Sequence, residues 1–345
     1  MTAGLKRLFV TGGAGFIGSA FVRAALAANA SFEVVNFDAL TYAGNPDNLE
    51  GLDSERHRLV RGNITDRKAV LDALGDGAEG IINFAAESHV DRSIRSAAEF
   101  IHTNVLGTQV LLDAARERGV KRFLQVSTDE VMGSLPLTEG TRFTEDSPFA
   151  PNSPYAASKA AAEHLVRAAH HTFGLDTVVT RCGNNYGPRQ FPEKFLPLLI
   201  SNALNDEPIP VYGDGLNMRD WIYVDDHCTA ILQVFDKGRS GAVYNIGSGN
   251  EQRNIEVAQS VLDVLGKPHS LIRFVKDRPG HDRRYAIDPS VVESELGWSP
   301  RETWESGLRK TIEWYEGNTV WLERVRSGAY REYYALQYDT LVGSR

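Results

Sequence analysis

A glycine-rich segment between a short apolar run and an amphipathic stretch constrains the fold of this chain more than any other feature. The apolar run covers residues 8–11 and predicts a strand, and residues 17–28 have the pattern of a helix. Four glycines have the spacing of the dinucleotide-binding patterns G-x-G-x-x-G and G-x-x-G-x-x-G: Gly12, Gly13, Gly15 and Gly18. Glycines permit a tight turn and let backbone amides approach a pyrophosphate at a helix N-terminus. The segment therefore predicts the first strand, turn and helix of a dinucleotide-binding fold.

An acidic residue follows the glycines at the distance expected for such a fold. Asp38 comes directly after the second predicted strand, residues 33–37, and lies 20 residues after Gly18. A carboxylate at this position accepts hydrogen bonds from the adenosine ribose and repels a 2′-phosphate. Because no arginine immediately follows Asp38, the sequence favours NAD over NADP as the cofactor.

Short apolar runs alternate with amphipathic segments through the first half of the chain. The runs that predict strands are residues 8–11, 33–37, 58–60, 80–84, 123–126 and 177–180, and the clearest predicted helices are residues 17–28, 97–118 and 155–173. This alternation predicts an α/β fold, a Rossmann doubly wound parallel sheet covered by helices on both faces. We assign residues 1–186 to an NAD-binding domain, with later segments near residues 219–245 returning to it. Residues 187–345, richer in proline and scattered basic residues, are assigned mainly to a smaller C-terminal substrate-binding lobe.

Charge and cysteine content narrow the class of protein further. The net charge of −8 and the pI of about 5.6 argue against a nucleic-acid or anionic membrane surface. The two cysteines, Cys182 and Cys228, have no metal-ligand spacing and are interpreted as buried thiols, and no metal site is predicted. The apolar stretch near the N-terminus is too short for a signal peptide, and no apolar run approaches the ~20 residues of a membrane helix. We therefore expect a cytoplasmic protein that binds neither nucleic acid nor membrane.

Five residues with reactive side chains lie in two groups in the middle of the chain. Thr128, Asp129 and Glu130 follow the fifth predicted strand, and Tyr155 and Lys159 lie four residues apart on a predicted helix. That helix has typical boundary residues: Ser153 as N-cap, Pro154 at the first position and Gly174 as its stop. Residues four apart share a helix face, so the ammonium group is expected to lower the pKa of the phenol. Two adjacent carboxyl groups supply an acid and a base, which indicates oxidation at a hydroxyl group combined with elimination.

The order of these features is similar to the active site of the extended short-chain dehydrogenases/reductases. In that family the tyrosine is the base at the hydroxyl being oxidised, and the lysine holds the nicotinamide ribose. Asp129 and Glu130, together with further stretches, narrow the resemblance to the dTDP-glucose 4,6-dehydratases. These stretches are residues 38–45, 84–93, 127–131, 184–188, 192–194, 210–215, 219–221 and 278–282, with a tail at residues 327–334. The resemblance spans nearly the whole chain.

The resemblance implies a hydro-lyase that converts dTDP-glucose to dTDP-4-keto-6-deoxyglucose. Tyr155 would take the proton of the 4-hydroxyl while Thr128 hydrogen-bonds the 4-oxygen. Glu130 would remove the C5 proton, and Asp129 would protonate the departing 6-hydroxyl. The hydride that leaves C4 would return to C6 by way of NAD, so the cofactor is regenerated.

The resemblance also implies which residues contact each ligand. Those expected to contact NAD are Gly12, Gly15, Phe16, Ile17, Gly18, Asp38, Leu40, Thr41, Asn63, Ile64, Phe84, Ala85, Ala86, Thr103, Tyr155, Lys159 and Asn185. Those expected to contact the sugar nucleotide are Ser88, Thr128, Asn184, Lys194, Phe195, Pro210, Tyr212, Arg219, Asn254, Arg278 and His281. Arg219 and Arg278 suit a diphosphate because guanidinium groups bind phosphate oxygens bidentately. A homodimer is expected through the helices at residues 97–118 and 155–173.

Two positions depart from the family pattern, and other functions stay open. Met132 stands where the family usually has tyrosine, and Asn63 stands where it usually has aspartate; no chemical step depends on either. The alternatives are a 4-epimerase, a decarboxylase, or a 4,6-dehydratase for a different nucleotide. Asp129 and Glu130 argue against the first two, since neither reaction needs an acid and a base at C6 and C5. A catalytically silent NAD-binding regulator is disfavoured because all five reactive residues are present.

Overall fold

The computed structural model describes residues 6–138 and 140–326, so the predicted tail at residues 327–334 lies outside the described part of the chain. Its strands are β1 Lys6–Thr11, β2 Phe32–Asp38, β3 His57–Arg61, β4 Ala78–Asn83, β5 Arg122–Thr128, β6 Thr177–Cys182, β7 Asn184–Tyr186, β8 Ile209–Tyr212, β9 Met218–Tyr223, β10 Val243–Ile246, β11 Glu251–Arg253 and β12 Ile272–Val275. Seven of them form one parallel sheet in the order β10-β6-β5-β4-β1-β2-β3. The predicted Rossmann doubly wound sheet is confirmed, and its six predicted strands are all present.

Helices cover both faces of this sheet, and others pack in the later part of the chain. In chain order they are α1 Phe16–Ala28, α2 Arg67–Leu74, α3 Val90–Arg95, α4 Ala98–Phe100, α5 Thr108–Glu117, α6 Pro154–Phe173, α7 Phe195–Leu204, α8 Val224–Lys237, α9 Asn254–Leu265, α10 Ser290–Leu296, α11 Trp304–Gly317 and α12 Thr319–Val325. In the described ranges, none of them is long and apolar enough to cross a membrane.

The sheet buries both of its faces because alternate residues of each strand point to opposite sides. In β1, Leu8 and Val10 pack in the core that contains α1 and α8. Phe9, between them, packs on the other side in the core formed with α2, α5 and α6. The strands are therefore continuous apolar runs, as expected for a parallel sheet, and the sheet forms the rigid base of the molecule.

Helix α6 begins and ends at the predicted residues. The Ser153 hydroxyl accepts from the Ala156 amide at 3.1 Å, and Pro154 occupies the first helical turn. Gly174 ends the helix with a φ of 69°, a left-handed conformation that glycine adopts at little cost. These local signals confirm the predicted boundaries and place Tyr155 in the first turn of the helix.

The helix predicted over residues 97–118 is irregular in the structure. Between α4 and α5 the chain forms a π-helical stretch, Ile101–Gly107. Within it, Oδ1 of the Asn104 side chain accepts from the Glu87 backbone amide at 2.8 Å. Its Nδ2 donates to the Glu87 backbone oxygen and to the Ser158 hydroxyl. A π turn holds more residues than an α turn and is frequent at functional sites. Apolar periodicity alone gave no signal for it, because the wider turn depends on these long-range contacts.

The later part of the chain builds a second, smaller core. Strands β11, β9 and β7 form a three-stranded sheet, and β12 pairs with β8. Helices α7, α9 and α11 pack around the buried aromatic residues Tyr186, Trp221, Trp304 and Tyr315. Within residues 219–245, α8 packs against α1 and β10 joins the edge of the large sheet. The division into two lobes at residue 186 stays a prediction.

Candidate active site

A cavity of about 340 Å³ lies at the C-terminal ends of β1, β2, β4, β5 and β6. Residues at or just beyond these strand ends form its wall, among them Gly12, Asp38, Phe84, Thr128 and Cys182. In open parallel sheets ligands bind in the crevice outside the carboxyl ends of the strands. The cavity is therefore the candidate site. Residues predicted to contact a ligand there should be among those that line it.

The turn from β1 into α1 has the shape that a pyrophosphate requires. Gly12 has a φ of 70°, and a Cβ at this position would lie 2.6 Å from the Ala85 nitrogen. A Cβ at Gly18 would lie 2.2 Å from the Gly12 oxygen, so side chains cannot be accommodated at either position. Helix α1 begins after Gly15, which has no side chain to cap the first-turn amides. An anion at this helix start would be bound by those amides and favoured by the helix dipole.

Asp38 is held in place at the end of β2 by two main-chain amides. Its Oδ2 accepts from the Ala14 amide at 2.9 Å, and its Oδ1 accepts from the Leu40 amide at 2.8 Å. Burial raises the pKa of Asp38, and the two amide hydrogen bonds oppose that rise. The carboxylate is thus oriented into the cavity wall, where it fits a ribose.

All residues that were predicted to contact NAD line the cavity except Leu40. Leu40, which has a φ of 53°, does not line the cavity. Its backbone amide donates to Asp38 and so orients that carboxylate. Asn63 lines the cavity, but its Oδ1 accepts from the Thr65 amide and hydroxyl, so its carbonyl oxygen is engaged locally. With the glycine turn and Asp38, this wall fits a dinucleotide such as NAD. Among the described residues, no three histidine, cysteine, aspartate or glutamate side chains lie close enough together to hold a metal ion.

Thr128 ends β5, and Asp129 and Glu130 begin the short 3-10 helix Asp129–Met132. The Thr128 hydroxyl donates to Asp129 Oδ1 and accepts from the Glu130 amide, both at 3.3 Å. Asp129 is only 2% exposed, and its Oδ2 has no hydrogen-bond partner among the described residues. Such an oxygen, buried in the cavity wall, is positioned to bind a polar group of a ligand.

The two carboxyl groups have different electrostatic surroundings. Burial and the neighbouring Glu130 raise the pKa of Asp129 well above its usual value. Burial also raises the pKa of Glu130, but the cationic Arg278, Arg219 and Lys194 oppose that rise. This asymmetry favours a protonated Asp129 and an ionised Glu130, the arrangement that an acid–base pair requires.

Tyr155 and Lys159 both line the cavity, but the predicted lowering of the tyrosine pKa is wrong. The Lys159 Nζ donates to the Val126 oxygen at 2.7 Å, and burial lowers the pKa of Lys159 to about 8. Burial and the charge of Glu130 raise the pKa of Tyr155 well above its usual value, although a hydrogen bond with Thr128 opposes this. Helical spacing predicted their proximity, but burial decides the direction of the pKa.

The residues predicted to contact the sugar nucleotide fall into two sets. Ser88, Thr128, Asn184 and Lys194 line the cavity, and the Lys194 Nζ donates to the Ser88 oxygen at 2.7 Å. The others lie outside this wall: Phe195, Pro210, Tyr212, Arg219, Asn254, Arg278 and His281. Arg278 and Tyr212 both bind the Asp91 carboxylate at 3.3 Å, and Arg219 donates to the Asp282 oxygen at 2.9 Å. Arg219 and Arg278 nevertheless oppose the rise in the pKa of Glu130, so their positive charges lie near its carboxylate.

Met132, the departure from the family pattern, is buried behind the carboxyl pair. Its sulfur lies 3.6 Å from Nη1 of Arg181, which is paired with Glu163 inside the protein. Met132 also packs with Phe143 and Ala160 in a small apolar cluster. The position therefore serves packing and contacts the buried ion pair between β6 and α6.

The chain matches known proteins over nearly its full length. The family model described as GDP-mannose 4,6 dehydratase matches residues 9–311. A dTDP-glucose 4,6-dehydratase from Xanthomonas campestris pv. campestris (strain B100) is 52% identical over 342 residues, which cover 93% of this chain and 96% of the relative. The chain belongs to the dTDP-glucose 4,6-dehydratase family.

Solved structures agree with this family membership. The DesIV dTDP-glucose 4,6-dehydratase from Streptomyces venezuelae, crystallised with NAD and TYD bound, is 50% identical with a TM-score of 0.90, covering 92% of this chain and 99% of that chain. A UDP-glucose 4-epimerase from Thermus thermophilus in complex with NAD is 32% identical with a TM-score of 0.84, covering 90% and 99%. Dehydratase and epimerase thus share this fold, so the fold alone does not distinguish their reactions.

Several residues of the wall were missed as site residues by the sequence analysis. They are Phe37, Ala39, Ala43, Gly44, Gly62, Glu87, Val126, Ser127, Cys182, Gly183, Gln190, Phe191 and Glu193. Cys182 was correctly predicted to be buried, and its register opposite Thr128 at the ends of β6 and β5 places it in the site. Its position at a strand end was the available signal. Glu193 lay in the family stretch 192–194, of which only Lys194 had been assigned a contact.

Proposed function

We propose that this protein dehydrates dTDP-glucose to dTDP-4-keto-6-deoxyglucose with NAD as its regenerated cofactor. The observation that carries the proposal is that Asp129, Glu130 and Tyr155 share one cavity wall with the glycine turn of α1. A simple dehydrogenase or epimerase needs the tyrosine and the dinucleotide site but not the carboxyl pair. Bound NAD supplies hydride acceptance at C4 and hydride return at C6, and its oxidised ring carries positive charge.

The first part of the reaction requires a base at the 4-hydroxyl. Tyr155 accepts that proton, and Thr128, hydrogen-bonded to both Tyr155 and Asp129, orients the 4-oxygen. Lys159, one helical turn beyond Tyr155 and hydrogen-bonded to the Val126 oxygen, is assigned to the nicotinamide ribose, as the family resemblance implies.

The second part removes water across C5 and C6. The C4 ketone acidifies the C5 proton, which the ionised Glu130 removes. The protonated Asp129 donates its proton to the 6-hydroxyl, which leaves as water, and Glu130 returns a proton to C5 when hydride reaches C6. The proton that Tyr155 accepts balances the one that Asp129 donates, so the net change is the loss of one water.

Charge in the neighbourhood of Glu130 supports recognition of a diphosphate. The positive charges of Arg219, Arg278 and Lys194 all oppose the rise in the pKa of Glu130. Two guanidinium groups and an ammonium group supply the donors that phosphate oxygens prefer. We assign these three residues, with Ser88 and Asn184, to the nucleotide diphosphate sugar.

Incubation of the purified protein with dTDP-glucose tests the proposal. The expected result is a 4-keto product with a mass lower by one water and no net accumulation of NADH. Formation of a galactose epimer, or release of carbon dioxide from the glucuronate analogue, without dehydration would place the protein among the epimerases or decarboxylases. Parallel incubations with UDP-, CDP- and GDP-glucose test the choice of nucleotide.

We also propose a homodimer through the predicted helices at residues 97–118 and 155–173. Ile94, Ile101 and Leu106 are exposed apolar side chains on this region, and Ile101 is 58% exposed. Large apolar side chains grouped on a surface indicate a protein contact. Light scattering of the wild type should give twice the chain mass, and Ile101→Asp should give monomers. The Val320 side chain, on α12, is about as exposed as that of Ile101. Val320→Asp is therefore the matched control and should stay dimeric. A monomeric wild type would contradict this assembly.

A further inference from the structure

Three loops that follow different strands meet along one side of the cavity. Residues 39–44 follow β2, residues 84–89 follow β4, and residues 187–194 follow β7. Each loop contributes side chains or backbone to the wall, including Thr41, Glu87, Ser88, Phe191 and Glu193. A ligand in the cavity is therefore bordered by all three loops on this side.

Tyr42 in the first loop, Glu193 in the third loop and Arg92 in α3, which directly follows the second loop, contact one another, and we call these three residues the latch. The Tyr42 hydroxyl is hydrogen-bonded to the Glu193 carboxylate. Arg92 Nη2 donates to Glu193 Oε2 at 3.1 Å, and the Arg92 guanidinium lies 3.9 Å from the centre of the Tyr42 ring. Each member of the latch thus contacts the other two, and each belongs to a different segment of the chain.

Neighbouring contacts reinforce the latch. The Tyr42 ring meets the Phe191 ring edge-on at a centroid distance of 5.8 Å, which joins the β2 loop to the β7 loop a second time. Lys194, next to Glu193, donates to the Ser88 oxygen and joins the β7 loop to the β4 loop. The Asn45 amide donates to the Ala14 oxygen at 3.0 Å, which anchors the β2 loop to the glycine turn. The three loops are therefore held to one another and to the predicted cofactor site.

The burial of Glu193 makes compensation by Tyr42 and Arg92 important, since its other neighbour, the His89 ring, lies farther away, with Nε2 4.0 Å from Oε2. Glu193 is 5% exposed and lines the cavity, whereas Tyr42 and Arg92 are absent from the described wall and hold it from behind. A carboxylate removed from water is tolerated only when charged and hydrogen-bonding partners compensate it. Loss of either partner should loosen Glu193 and, with it, the loop that carries Phe191.

We propose that Tyr42, Arg92 and Glu193 keep the three loops closed over the dinucleotide and slow its release. The inference rests on the proposed function, in which the hydride taken from C4 returns to the same sugar and the cofactor must stay bound between the two steps. Tyr42 and Arg92 are positioning residues, because they act on the cavity wall through Glu193. A second cluster with the same chemistry, Tyr244, Arg239 and Glu295, lies in a different part of the protein and provides matched controls.

The test measures NAD release directly. Wild-type protein and the variants Tyr42→Phe, Arg92→Gln and Arg92→Lys are loaded with radiolabelled NAD and chased with excess unlabelled NAD, without any sugar nucleotide. Tyr42→Phe should release label about tenfold faster, the effect of losing one hydrogen bond to a buried charged group. Arg92→Gln should release it faster still, and Arg92→Lys, which keeps the charge, should be intermediate. The controls Tyr244→Phe and Arg239→Gln should release label at the wild-type rate.

Turnover and thermal unfolding separate the latch from a purely structural role. With saturating NAD, Tyr42→Phe and Arg92→Lys should keep a kcat within about twofold of the wild type while their release rates differ. Release at the wild-type rate in folded variants, or a fall in kcat without faster release, would overturn the proposal. Wild-type protein that binds no label would overturn it as well. Wild-type protein that retains NAD but does not dehydrate dTDP-glucose would count against the proposed function alone, since the release rates are measured without substrate.

Discussion

The Lys159 ammonium group donates a hydrogen bond to the Val126 oxygen, 2.7 Å away, and so joins α6 to the strand that ends in Thr128. The contact sets the first turn of α6, with Tyr155, against Thr128, Asp129 and Glu130. It also removes the ammonium group from water, and this burial lowers the pKa of Lys159 to about 8. One buried hydrogen bond thus couples the geometry of the site to its titration.

Replacing Lys159 by methionine should change how stability depends on pH. A lysine whose pKa is lower in the folded than in the unfolded protein binds fewer protons when folded, so it adds stability as pH rises above the folded pKa. Relative to Lys159→Met, the wild type should gain about 2 kcal/mol of unfolding free energy between about pH 8 and about pH 10. Urea unfolding across this range measures the difference. Lys68→Met, at an exposed position of α2, should lack the gain; an equal gain there would contradict the assignment.

Replacing Tyr155 by phenylalanine should block the reaction at its first step. Without the hydroxyl, no side chain accepts the proton of the 4-hydroxyl, and the rate of C4 oxidation should fall by about 10² to 10⁴. Rapid mixing of NAD-loaded protein with dTDP-glucose, followed by nicotinamide absorbance, measures NADH formation in a single turnover. Reduction at the wild-type rate in this variant would show that another group is the base.

Replacing Glu130 by glutamine should block the reaction later. The amide cannot remove the C5 proton, but Tyr155 and Thr128 still support oxidation at C4. NADH should therefore form and persist while water loss falls by about 10² or more. The same rapid-mixing experiment, with mass analysis of quenched samples, separates the two steps. Wild-type dehydration by this variant would remove Glu130 from the role of base.

Replacing Asp129 by asparagine should slow the reaction and stabilise the protein. An amide cannot donate the proton that the 6-hydroxyl needs, so dehydration should fall by at least about 10². The pKa of Asp129 is raised in the folded protein, so the wild type loses stability as pH rises from the unfolded pKa toward the folded one. Asp129→Asn lacks this loss and should unfold at a higher denaturant concentration at neutral pH. If the wild type and Asp129→Asn unfold at equal denaturant concentrations at neutral pH, and the wild type does not become more stable at low pH, the buried carboxyl group does not destabilise the protein.

Local signals in the sequence were sufficient for the fold and for the central part of the site. Alternating apolar runs predicted the strands, and Ser153, Pro154 and Gly174 predicted the bounds of α6, because strand propensity and helix capping depend on neighbouring residues. The glycine turn and Asp38 were predicted for the same reason. The cytoplasmic location, the homodimer and the lobe boundary stay predictions.

Long-range contacts set what local signals could not. Cys182 reaches the cavity because β6 pairs with β5, and Gln190 and Glu193 reach it because the loop after β7 returns to the cavity. The π-helical stretch depends on Asn104 meeting Glu87, which is 17 residues earlier in the chain. Neither relationship has a periodic signature, since both depend on how separate elements pack.

The sequence by itself determined where the strands lie along the chain, the dinucleotide turn and the identity of the reactive side chains, all of which are encoded by adjacent or regularly spaced residues. Only the tertiary structure decided how strongly each reactive group holds its proton and which loops close the cavity. Burial raised the pKa of Tyr155 where helical spacing predicted a lower one. Three nearby cations oppose the rise in the pKa of Glu130, and this separates its pKa from that of Asp129. Desolvation and charge depend on every element packed around a group, so they appear only when the chain is folded.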